Sequence, residues 1–382
     1  MAFVTDANVV PLRTSNKKSS PPYLFNQALA KQIKINKKPK YKENDFTLVI
    51  NNCNTSTECK NNELRTVIIH EMLHGLGFMS KPKVIKMTDN KNDNKIGEII
   101  FTENDKYAFY TQTATSYNKK LMKITKTEEY ENQLYNSKIT NFIPFNIFDK
   151  YLVSLKTGDR IFKNIPFYYE ELNKKCFPKG SFSLTLKDFT TSFIYDCVKN
   201  LSSETQIIVN RIIKDHYFDV NTLAIETYDG EKIPLQTLNG QYSYSNCVSH
   251  INNPIFNELY RRVEEYGPNS ESVIDMFNLD TSFKEDYILK YYDDNYILYM
   301  SDEDDFTVEE MLKKLPNNKK HPLIGNGIVK IMATLGWTEK GRKRNNHIHY
   351  LDETINIPES QVFKYYYKRM YDIEELNDKT SK

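Results

Sequence analysis

Apolar positions in this chain fall into short blocks separated by long polar tracts, and the spacing inside each block predicts its element. Leu24, Ala28, Leu29 and Ile33 recur at roughly helical spacing as far as Lys34, whereas residues 11–22 are polar and proline-bearing and read as a surface lead-in. Phe46-Thr47-Leu48-Val49-Ile50 is a strand-like run bounded by Asn-rich turns. Leu64, Val67 and Ile68 supply the apolar face of a helix that Asn61 or Asn62 can cap. Gly75 and Gly77, close together in a Gly-poor chain, predict a sharp backbone turn behind it. Residues 141–151 (NFIPFNIFDKY) are apolar and aromatic enough to be packed core. Residues 182–200 read as strands and then a helix, 251–266 as a helix, and 327–337 as a short apolar helix ended by Gly336. From Gly341 the tail is basic, then a Tyr-rich amphipathic helix expected to pack on the body.

Composition narrows the class. A chain of 382 residues is too long for one minimal core, so two or three lobes are expected. With 52 basic against 50 acidic side chains, neither a polybasic nucleic-acid binder nor an acidic disordered tail fits. Gly341-Arg342-Lys343-Arg344 is too small a footprint to change that, so no nucleic-acid partner is expected. No apolar run approaches the roughly 18 residues of a membrane span, and the stretch from Met1 to Asp6 has neither the basic nor the apolar region of a signal peptide. Cys53, Cys59, Cys176, Cys197 and Cys247 form no CxxC pair. Cys53 and Cys59 could close a short loop in an oxidising compartment, and free thiols in a reducing one are an equal alternative. Asn54-Thr55-Ser56 and Asn200-Leu201-Ser202 are glycosylation sequons of a kind that arises by chance in an Asn-rich chain.

The candidate chemistry lies in His70-Glu71-Met72-Leu73-His74. Histidines four positions apart on a helix project from one face a turn apart, where a tetrahedral zinc can take both. Glu71, beside the first ligand, can reach a metal-bound water and accept its proton. The plain alternative is an amphipathic helix with two partly exposed histidines. A catalytic zinc needs a third protein ligand and an open position. Counted from His70, the short-range third-ligand position after Gly77 is Ser80, a poor ligand. That leaves His250, just before the expected helix; His347 and His349, a strand-like HxH in a basic tail where solvation is expected; and the isolated His216 and His321.

The segment His70 to Ser80 (HEMLHGLGFMS) resembles the HExxHxLGFS motif of leishmanolysin-type metzincins, with Met79 as one extra residue. It also resembles secreted fungal HExxHGLGF proteins with an inserted aromatic FDKY segment, a later Ser-His and a closing LG-aromatic helix. Those features correspond to residues 142–151, 245–250 and Leu335-Gly336-Trp337. The resemblance implies an α+β metzincin-like zincin: two lobes around an active-site helix, with a large insertion between the second and third zinc ligands. Residues 1–80 would form an N-terminal lobe lacking its first strands, 81–245 the insertion, 246–340 a C-terminal lobe and 341–382 a tail helix. The implied ligands are His70, His74 and His250, with Leu298 or Met300 as the Met-turn residue and Zn2+ as the cofactor. Zinc-dependent endopeptidase activity on polypeptides, with Glu71 as general base, and a secreted location follow as expectations. The alternative is a catalytically inactive, zinc-stabilised secreted or surface binding protein on the same fold. Oligomeric state is left open.

Overall fold

The structure, a computed structural model, describes residues 2–5, 8–17, 19–50, 61–80, 82–87, 98–100, 106–110, 113–116, 138–163, 165–178, 184–185, 191–216, 222–235, 241–243, 250–251, 324–338 and 346–355. The chain opens with Ala2–Thr5 (β1), Val9–Arg13 (β2), Pro22–Asn26 (β3), the one-turn helix Gln27–Ala30 (α1), Lys34–Ile35 (β4) and Thr47–Ile50 (β5). The long helix Asn61–Gly75 (α2) follows, then Lys83–Met87 (β6), Glu98–Ile100 (β7), Lys106–Tyr110 (β8), Thr113–Ser116 (β9) and Lys138–Phe142 (β10). A 3-10 turn at Ile147–Tyr151 leads into Leu152–Ser154 (β11), Ile165–Cys176 (α3), Leu184–Thr185 (β12), Thr191–Lys199 (α4) and Ser203–His216 (α5). Leu223–Glu226 (β13), Lys232–Pro234 (β14), Gln241–Ser243 (β15), Asn326–Leu335 (α6) and Ile348–Leu351 (β16) complete the described elements. This is a mixed α+β chain. Among the described residues no helix is long and apolar enough to cross a membrane.

Among the described residues the largest sheet has the order β3-β2-β16-β4, with β16 antiparallel to β2 and parallel to β4. It overturns three local expectations. Residues 11–13 of the supposed lead-in belong to the strand at 9–13: Val10 and Leu12 are buried on alternate positions, a period of two that Pro11 disguises. Pro11 has no N–H to give, and its carbonyl instead accepts from Asp352 N at 3.0 Å. The expected helix over Leu24 to Lys34 is instead β3 followed by one helical turn, because Tyr23, Leu24 and Phe25 are all covered and a strand buried on both faces need not alternate. The HxH of the tail is split: His347 is exposed just before β16, whereas His349 lies in β16, inside the sheet, half-buried against Phe25 at 5.1 Å between ring centroids.

Helix α2 packs on the antiparallel pair β1–β5, and the strand expected at 46–50 is present as β5. A continuous core then runs from Val10 through Leu73, Phe78, Phe142, Phe148, Leu223 and Ile251 to Leu335. The aromatic segment 141–151 is its centre, with Phe142 and Phe148 fully buried, each withdrawal of such a ring from water being worth about 1.5–3 kcal/mol. This segment lies along β3: Leu24 N donates to Phe145 O at 2.8 Å, and Leu24 bridges Asn146 in parallel. Ile251 forms an isolated bridge rather than helix; the rest of the helix predicted at 251–266, the acidic stretch at 301–305, the Met-turn candidates Leu298 and Met300, His321, Cys53, Cys59, Cys247 and the tail beyond 355 lie outside the described residues.

Candidate metal centre

Helix α2 ends in a way that its sequence dictates. Gly77 has φ +121°, a conformation an L side chain rarely adopts, and the backbone turns back on itself there. Phe78 N then donates to Leu73 O at 3.0 Å and Gly77 N to His74 O at 3.1 Å, the paired bonds of a Schellman cap. Gly75 serves a different end. A Cβ there would meet the Phe46 ring at 2.7 Å, so the glycine permits close approach of the segment leading into β5.

The cap aims the Phe78 carbonyl back at the helix, where His74 Nδ1 meets it at 2.7 Å. With Nδ1–H donating to that carbonyl, the His74 ring presents Nε2 as an acceptor. His74 Nε2 lies 3.0 Å from His70 Nε2, as the spacing of four on one helix allows. His250 comes from far along the chain, held by Ile251, which bridges Leu235 just after β14 and is buried in the core. Its Nε2 stands 3.3 Å from His70 Nε2. All three rings are buried, and their ligand nitrogens lie within 4.8 Å of one another. Burial, then the neighbouring His70, pushes His74 down to about 3, and burial followed by His74 and His70 pushes His250 well below its ordinary value. Burial thus favours neutral His74 and His250, and three imidazole nitrogens brought this close are a donor set a cation can use. The three histidines could hold a metal ion. Glu71 follows the first of them on α2 and is half-buried, while Met72 points outward at 40% exposure.

A shell of polar groups fixes the turn behind the histidines. Buried Asn26, at the end of β3, donates from Nδ2 to Gly75 O at 2.8 Å. Ser80, the residue at the short-range ligand position, donates instead to Asp149 Oδ1 at 2.5 Å. The other Asp149 oxygen accepts from Asn146 N at 3.0 Å, and Asn146 Nδ2 donates to Met79 O at 3.2 Å. Phe78 packs on Phe148 at 5.0 Å, so the loop after α2 is pinned to the FDKY segment by both ring and carboxylate.

Closing helix α6 repeats the cap of α2. Gly336 has φ +123°, Trp337 N donates to Met332 O and Gly336 N to Ala333 O. The two LG-aromatic turns touch, for the Trp337 indole N–H donates to Leu76 O at 3.2 Å.

Among the sequence candidates, the structure brings His70, His74 and His250 together and sets His347 and His349 apart. His347 Nε2 bonds Thr14 O at 2.7 Å, and burial pushes His349 down to about 4. His216 closes α5. Sequence reasoning missed Asn26, Asp149 and the Trp337 contact. Polar residues inside otherwise apolar runs, FNQ at 25–27 and IFDKY at 147–151, were the available signal.

An α+β chain with three buried histidines placed for a metal ion is the class this geometry defines. The chain matches the family model described as SPBPB7E8-like over residues 20–256, more than half its length and inclusive of all three histidines, and it belongs to that family. No curated protein and no solved structure matches it.

Proposed function

We propose that the protein is a secreted zinc-dependent endopeptidase of metzincin-like fold, with His70, His74 and His250 as the zinc ligands and Glu71 as general base. The observation that carries the reading is the convergence of three buried Nε2 atoms at 3.0 and 3.3 Å. Ligand nitrogens about 2.0–2.1 Å from a tetrahedral zinc stand roughly 3.3 Å apart, and three neutral imidazoles leave the fourth position open. Bound there, zinc supplies Lewis-acid polarisation of a scissile carbonyl and acidifies a water.

The rest is done by the chain. His74 is held in the ligating tautomer by the Phe78 carbonyl, which the Gly77 cap aims. Glu71, on the same helix and half-buried, accepts the proton of the attacking water and returns it to the leaving amine. A carboxylate is required because the amide of Gln cannot take up that proton. In this reading residues 1–80 form the N-terminal lobe, 81–245 the insertion and 246–340 the C-terminal lobe.

The test is Glu71→Gln in the full chain, assayed on a peptide library with zinc measured in the same preparation. Peptide hydrolysis should fall by about 10²–10⁴-fold with zinc retained, the usual contribution of a general base. Hydrolysis unchanged with zinc bound would overturn the mechanism. A parent protein that holds zinc and cleaves no peptide would instead be the inactive binding protein on the same fold.

A further inference from the structure

Two of the five cysteines have a relationship their spacing conceals. Cys176 is the last residue of α3 and Cys197 lies in the last turns of α4. The helices pack on each other, and Phe177 meets Phe193 at 6.1 Å between ring centroids, one residue beyond the first thiol and one turn before the second. Both cysteines are buried in the main core, at 2% and 5% exposure, among Leu172, Ile194 and Val198. Both thiols are free in the structure, and the Cys176 thiol lies within hydrogen-bonding reach of Cys197.

We propose that Cys176 and Cys197 are joined as a structural disulfide that staples α3 to α4 when the chain folds in the presence of a disulfide donor. The donor is a small-molecule or protein disulfide. One cysteine thiolate attacks it, forming a mixed disulfide and releasing a thiol; the second thiolate then displaces the other donor sulfur. The pair loses two electrons and two protons, and the donor leaves as two thiols. The hydrogen bond to Cys197 and burial push the Cys176 thiol up, so the completed core resists attack and the bond forms during folding. The staple closes the segment between the two helices and restricts the unfolded chain. It is independent of the metal centre: no residue of the pair is a neighbour of His70, His74 or His250 in sequence.

The test uses the full chain, refolded from the reduced, denatured state with oxidised and reduced glutathione, alkylated and mapped by mass spectrometry without reduction. The expected result is a linked peptide pair containing Cys176 and Cys197, about 2 mass units below the sum of the reduced peptides. The same product is expected in Cys53→Ser/Cys59→Ser/Cys247→Ser, which leaves no other partner. Complete alkylation of both thiols in refolded protein, or pairing of either with Cys53, Cys59 or Cys247 in the parent, would overturn the proposal. A triple variant that fails to refold leaves the parent map as the deciding result.

Discussion

Asp149 is buried within an aromatic segment, and its two oxygens hold two pieces of chain together: Oδ1 takes the Ser80 hydroxyl at 2.5 Å and Oδ2 the Asn146 N–H at 3.0 Å. Asp149→Ala removes both acceptors. Hydrogen bonds to a charged group are worth about 1.5–3 kcal/mol each, and the saved desolvation of the carboxylate offsets part of that, so a net loss of about 3 kcal/mol is expected. Asp149→Asn is a sharper comparison. The amide oxygen can keep the Asn146 N–H, and the Ser80 hydroxyl can rotate to accept from the new NH2 group, so only the charge assistance is lost, about 1 kcal/mol. Ser80→Ala deletes one of the two bonds, and in the double variant with Asp149→Ala the penalties should fall short of additivity by about 1 kcal/mol. Urea unfolding followed by fluorescence suits the measurement, because Trp337 is the only tryptophan and its indole bonds Leu76 O in the cap of α2. An Asp149→Ala protein no less stable than Asp149→Asn would refute the reasoning, since the two differ only in whether the bonds can be re-formed.

Two further outcomes follow from the cap and from the buried rings. Gly77→Ala places a Cβ at φ +121° and should destabilise by about 1–2 kcal/mol, with weaker metal binding because the Phe78 carbonyl is aimed by that turn; thermal melts with and without added zinc would read both. In metal-free protein His74 stays neutral down to about 3, whereas the unfolded chain protonates it near 6.5, so the unfolded state binds more protons between those values. Stability should therefore be fully present above about pH 6.5 and fall as pH drops towards 3. His74→Asn, which cannot take the proton, should flatten the upper part of that fall in a urea-midpoint series.

Much of the site is legible in local patterns. β5 spans Thr47–Ile50, and α2 and α6 turn at Gly77 and Gly336, because a β-branched run and a positive-φ glycine each act over a few residues, whereas Asn61 and Asn62, expected to cap α2, lie inside its first turn. The strand at 9–13 was hidden by Pro11, and the pattern at 24–33 mimics a helix because β3 is covered on both faces. Asn26 and Asp149 could not be placed from spacing, since their partners Gly75 and Ser80 lie 49 and 69 residues away. His250 is the extreme case. Nothing periodic links it to His70 across 180 residues, and it came forward only through a family resemblance.

In the proposed function His250 completes a zinc centre with His70 and His74. Elemental analysis of zinc per chain, on the parent and on His250→Ala in parallel, tests it most directly. About one zinc is expected in the parent and a marked loss in the variant, as removal of one of three protein ligands requires. Zinc retained in full by folded His250→Ala, or no zinc in a folded, zinc-replete parent, would contradict it.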